Sequence, residues 1–86
     1  MSYGLAVAGD ARADLRMMDI WLQEEVWDEL ESLAADPSQI PLVPPGNSVR
    51  LVLSRIFGGV TYEVVIAVVR NDARKTLTVL GVSVEQ

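Results

Sequence analysis

The chain contains neither cysteine nor histidine. Without cysteine there is no disulfide, no thiolate metal site and no thiol nucleophile, which fits a reducing cytoplasm. Without histidine the commonest general base near neutral pH and the commonest metal ligand are both missing, and with them any Ser-His or Cys-His triad. Positive charge is also scarce: seven Lys and Arg stand against twelve Asp and Glu, a formal net charge of -5. Such a chain repels phosphate backbones at long range unless its bases gather on one face, so nonspecific nucleic-acid binding is disfavoured. No stretch of about 18 uninterrupted apolar residues occurs, and the first nine residues lack the basic and long apolar regions of an export signal. Neither a helical membrane span nor secretion is expected.

Half of the residues are hydrophobic, and Leu, Ile and Val far outnumber the five aromatics. The chain can therefore collapse around a core. At 86 residues it holds one domain, spanning 1–86. A domain of this size buries only about 60 to 65% of its extended-chain surface, so a partner subunit or a dimer mate would add needed stability.

Residues 2–8 read as a short strand, stopped by Gly9 and Asp10, with Asp10 a candidate helix N-cap. From Asp10 to Ala35 the apolar period changes. Ala11, Leu15, Met18, Leu22, Val26, Leu30 and Leu33 fall three or four apart on one face of a helical segment. A second apolar strip (Ile20, Trp27, Ala34) and a capping Asp19 favour a hairpin of two helices, broken near residues 17–20, over one long helix. The acids from Glu24 to Glu31 either form a solvated face or complement the second helix's dipole. Pro37, Pro41, Pro44, Pro45 and Gly46 then make 36–48 an extended connector.

Three β-rich runs follow, at 49–57, 60–70 and 75–84, separated by Gly58-Gly59 and by Asn71-Asp72-Ala73-Arg74. Both separators are hairpin signals, so the runs predict an antiparallel meander. The fold class is α+β: a first strand, a helical hairpin and a three-stranded meander in one sheet packed on the helices. The middle run is apolar on both faces, with Tyr62, Val64, Ile66 and Val68 on one and Val65, Ala67 and Val69 on the other. The helices cover one face, and the other needs a partner, a second copy or the connector.

Candidate chemistry is thin. The acids Glu24, Glu25, Asp28, Glu29 and Glu31 include i, i+4 pairs that could serve only a hard cation, and a solvated helix face is the plainer reading. Gly58-Gly59 lacks the third glycine and the Lys-Ser/Thr of a phosphate loop, and Trp21 and Trp27 are placed for packing rather than for stacking bases. Neither a metal nor a cofactor is expected. Five of the seven bases (Arg50, Arg55, Arg70, Arg74, Lys75) lie in the meander, while the helical half is acidic. Strand alternation puts Arg50 and Ser54 on one face and Arg55 with Leu51, Leu53 and Phe57 on the other.

The order of elements carries a family likeness. The opening Tyr3-Gly-Leu-Ala-Val, the helix start Ala11-Arg-Ala-Asp-Leu15, the helix end Glu29-Leu-Glu-Ser-Leu-Ala-Ala-Asp-Pro37, Tyr62-Glu-Val-Val, and the last run Lys75-Thr-Leu-Thr-Val-Leu-Gly-Val82 together resemble the RelE/ParE superfamily of toxins from type II toxin-antitoxin modules. The resemblance implies an antitoxin partner and one of two activities: ribosome-dependent messenger cleavage, or inhibition of a protein target such as DNA gyrase. In the cutting branch, cations on the sheet stabilise the phosphate transition state and a residue near the last strand handles protons. It implies Arg50 and Arg55 as phosphate-binding cations and Tyr62 as a proton donor or else a core residue, with all three counted as catalytic. Glu63 stands where that branch often has Arg, which keeps open the alternative of a noncatalytic protein-binding or dimerising relative.

Overall fold

The computed structural model describes residues 2–44 and 47–85. Pro45 and Gly46, assigned above to the connector, lie outside the described residues, as do Met1 and Gln86. The elements run β1 (Gly4–Val7), α1 (Gly9–Arg16), α2 (Ile20–Ala35), a 3-10 turn (Pro37–Gln39), β2 (Val49–Phe57), β3 (Val60–Asn71) and β4 (Thr76–Glu85). The helical hairpin is present, broken at residues 17–19. Two expectations at the helix starts are corrected. Asp10 is not the cap of α1, because Ala8 occupies that position in an extended conformation and its carbonyl accepts from Arg12 N at 3.0 Å. No acid lies in the first turn of α2, so the acids of that helix do not complement its N-terminal dipole.

All four strands join one sheet in the order β1-β4-β3-β2. β2, β3 and β4 form the meander, and β1 adds to its far side by pairing parallel with β4, from Gly4 opposite Thr76 to Val7 opposite Val79. The β2–β3 turn needs positive φ twice, and Gly58 and Gly59 supply it at 59° and 78°. A bulge interrupts β4: Ala67 pairs with Gly81 but Val68 with Val79, so Leu80 is the extra residue and is left 42% exposed.

Beyond Val79 this edge of β4 has no β1 residue beside it, which leaves the Val82 N–H without a strand partner. Asp14 on α1 takes it, its Oδ2 accepting from Val82 N at 3.0 Å. This contact fixes α1 beside the half of β4 that β1 does not reach. Both helices cover a single face of the sheet, and their apolar strips meet Leu53, Val64, Ile66, Val68, Leu77, Val79 and Val82 in one core, with Val26, Leu30, Val64, Ile66 and Val68 wholly buried. Ile40, at the start of the connector, closes that core beside Pro37. Among the described residues no helix is long and apolar enough to cross a membrane.

Candidate functional site

The two cations and one phenol of interest, Arg50, Arg55 and Tyr62, are set by strand alternation. On β2, Arg55 points to the helix side with the buried Leu53, while Arg50 points to the open side with Val52, Ser54 and Ile56. Tyr62 lies directly across from Arg55 in the β2–β3 register. Arg55 and Tyr62 are therefore brought together, and Arg50 is held apart from them by the thickness of the sheet.

The Arg55 and Tyr62 end is built around aromatic packing. Trp21, at the start of α2, stacks on Phe57 with ring centroids 4.5 Å apart and meets the Tyr62 ring edge-on at 5.2 Å. Trp21 thus packs, as its spacing from Trp27 implied, and locks the β2–β3 hairpin onto the helices. Arg55 is engaged as well. Its Nε donates to Glu25 Oε2 at 3.0 Å and its Nη1 to the Ser54 carbonyl at 2.9 Å. A guanidinium held by a carboxylate has part of its field neutralised before any phosphate arrives.

The open face is laid out in rows across the strands. Arg50, Ala67 and Gly81 form one row, Val52, Val65 and Ser83 the next, and Ser54, Glu63 and Glu85 the third. A shallow depression of about 290 Å³ lies there, lined by Asp14, Arg50, Val65, Ala67, Gly81, Val82, Ser83 and Glu85. Its floor is low because Ala67 and Gly81 are small. Val52 and Ile56 stand 63% and 74% exposed on the same face, so none of the described residues covers them. Arg50, Glu63 and Glu85 stand on the strands of this face with Asp14 of α1 at its edge, and among the described residues no cluster of three or more acids is placed to hold a metal ion.

A second polar assembly, which reading the sequence did not single out, sits at the opposite end of the sheet. The Tyr3 hydroxyl donates to Asp72 Oδ1 at 2.6 Å, and Arg70 Nε donates to the same oxygen at 2.7 Å. Arg70 Nη1 donates to the carbonyls of Pro37 at 2.9 Å and Ile40 at 3.1 Å, and the guanidinium lies 5.9 Å from the Tyr3 ring centre. The Tyr3 bond, and then the Arg70 bond, hold the Asp72 carboxyl below the usual carboxylate range. The Asp72 bond in turn raises the Tyr3 phenol and the Arg70 guanidinium above their ordinary values. One carboxylate therefore ties the first strand, the β3–β4 turn and, through Arg70, the start of the connector. The signal available in the sequence was Arg70 ending a buried strand beside Asp72, a cation that must find acceptors.

No family model matches the chain, and no curated protein matches it. Solved structures do. The chain is similar to an arginine-to-alanine double mutant of the E. coli toxin RelE in the free state, with a TM-score of 0.68 and 18% identity over 96% of this chain and 83% of that one. It is also similar to a chain of the intact E. coli RelBE toxin-antitoxin complex, with a TM-score of 0.68 and 16% identity over 99% of both chains. A toxin-antitoxin complex, RelBE, from Mycobacterium tuberculosis gives 0.63 and 18% over 99% of this chain and 100% of that one. The chain has the RelE-like α+β fold.

Proposed function

We propose that this chain is the toxin-like component of a type II toxin-antitoxin module, working in the cytoplasm and acting through protein binding, with an antitoxin as its partner. The open face is the observation that carries this reading. It presents Val52, Ile56 and Val65 as an unpartnered apolar surface spanning two adjacent strands of a domain too small to leave such area idle. The likeness to RelE chains in complexes with their antitoxins supports the same assignment. Protein binding ranks ahead of catalysis because the three nominated residues do not converge. Arg50 faces away from Arg55 and Tyr62, and Arg55 is already paired with Glu25.

A second reading is ribosome-dependent messenger cleavage, and the placement of Tyr62 directly across from Arg55 favours it. A ribose 2′-hydroxyl would attack the adjacent phosphorus in line. Arg55 would stabilise the charge on the phosphate oxygens, the Tyr62 hydroxyl would give its proton to the leaving oxygen, and solvent water would take the proton of the 2′-hydroxyl.

Induced expression in a bacterial host, with labelled amino acids and thymidine followed in parallel, separates the readings. Early loss of thymidine incorporation, unchanged by Arg50→Ala, Arg55→Ala and Tyr62→Phe, supports action on a protein target such as gyrase. Rapid loss of amino-acid incorporation that those substitutions relieve in a folded protein supports cleavage. Undisturbed growth sinks the active-toxin assignment and leaves a complex-forming relative.

A further inference from the structure

Three charges of the open face are arranged so that the face complements itself. Arg50 stands on one row, Glu63 and Glu85 stand two rows along, and Val52, Val65 and Ser83 lie between them. Among the described residues none of the three charges enters an ion pair. Glu63 and Glu85 are direct cross-strand neighbours, an arrangement that repels within a single chain. A two-fold axis lying between two such faces, and crossing the strands along the Val52, Val65 and Ser83 row, exchanges the outer rows. We propose that the free chain forms a homodimer by packing two open faces about this axis, the strands of one copy antiparallel to those of the other.

The fit follows from the rows. Glu63 of one copy comes to stand over Ala67 of the second, a long side chain above the low floor of the depression. Arg50 is the register neighbour of Ala67, so each Glu63 arrives beside an Arg50 of the other copy. Val65 meets its own counterpart near the axis, and Ile56 moves toward Val69 of the second copy. Four strands at roughly 4.8 Å and nine residues at roughly 3.3 Å make a face of about 19 by 30 Å, or on the order of 1,100 Å² over two copies. That clears the roughly 1,000 Å² expected of a specific interface but falls short of the standard of about 1,600 Å², so the dimer is reversible. One element opposes it: Glu85 comes over Gly81 of the second copy, next to Asp14.

The inference rests on the open face and not on the toxin reading. Sedimentation equilibrium on the isolated chain, from low to high micromolar concentration, tests it with Arg50→Glu, Glu63→Lys and the double variant, each checked for native circular dichroism. The wild type should dimerise reversibly, each single reversal should weaken the dimer at least about tenfold, and the double variant should regain it, because the swap restores opposite charges across the axis. Glu85→Gln should tighten it. A wild type that stays monomeric throughout, a dimer indifferent to both single reversals, or a double variant no tighter than the singles overturns the proposal.

Discussion

The two faces of the sheet are built from the same strands and the same residue types, yet they have opposite fates. On the helix side of β3, Val64, Ile66 and Val68 are wholly buried. On the other side Val65, Ala67 and Val69 are only half covered. The difference lies in what the rest of the chain provides: two short helices suffice for one face of four strands and no more. Apolar character alone therefore does not mark a core position in this protein. The core face is fixed by stability, and the open face is available for binding.

This contrast can be broken experimentally, and the largest effect should come from its buried side. Ile66→Ala empties a site with no exposure and should cost about 2 to 5 kcal/mol, read as a lower midpoint in chemical denaturation. Val52→Ala on the open face should change the midpoint of the monomer by less than about 0.5 kcal/mol. Equal losses at the two positions would mean that both faces are covered in solution. Next in size is the clamp that holds α1 beside the bulge. Asp14→Ala leaves the Val82 N–H without its acceptor and should cost about 1 to 3 kcal/mol in thermal unfolding, with Asp14→Asn retaining part of that stability.

The assembly at Tyr3, Asp72 and Arg70 gives the contrast a pH dependence. The Asp72 carboxyl titrates below its unfolded value, so its contribution is present above about pH 4 and is lost as pH falls through the lower folded value. The Tyr3 phenol titrates above its unfolded value, so its contribution is complete below about pH 10 and is lost as pH rises through the higher folded value. Asp72→Asn should flatten the acid limb of a plot of unfolding midpoint against pH, and an unchanged limb would assign acid sensitivity to other carboxylates. A small effect is expected at Glu25. Its ion pair with Arg55 is more than a third exposed on both sides, so Glu25→Gln should shift stability by about 0.2 to 1 kcal/mol, less at high salt.

Much of the architecture was legible because two local signals are strong here. The change from a period of three or four to alternation after the prolines separates helices from strands, and Gly58-Gly59 sets the β2–β3 register. Strand β2 has the ends its pattern predicts, and the helical hairpin breaks where Asp19 and the second apolar strip indicated. The placement of β1 beside β4 was not legible, since a four-residue strand has no pattern that names its neighbour across the whole chain. The bulge at Leu80 and the bond from Val82 N to Asp14 were equally hidden, because both depend on how separate elements meet. The split of Arg50 from Arg55 did follow from alternation. The pairing of Arg55 with Tyr62 and Glu25 required the register and the helix position.

The pairing of β1 with β4 also bears on how the domain forms. Gly4 must find Thr76, and Leu5 must find Leu77, so the ends of the sheet close a loop that spans nearly the whole chain. Closure of such a loop carries an entropy penalty before any contact rewards it, and folding slows accordingly. During synthesis the first strand emerges with no neighbour to receive it. The core on the helix side stays unsealed until β4 has cleared the ribosome, and the apolar strips of α1 and α2 remain open to capture by other proteins until then.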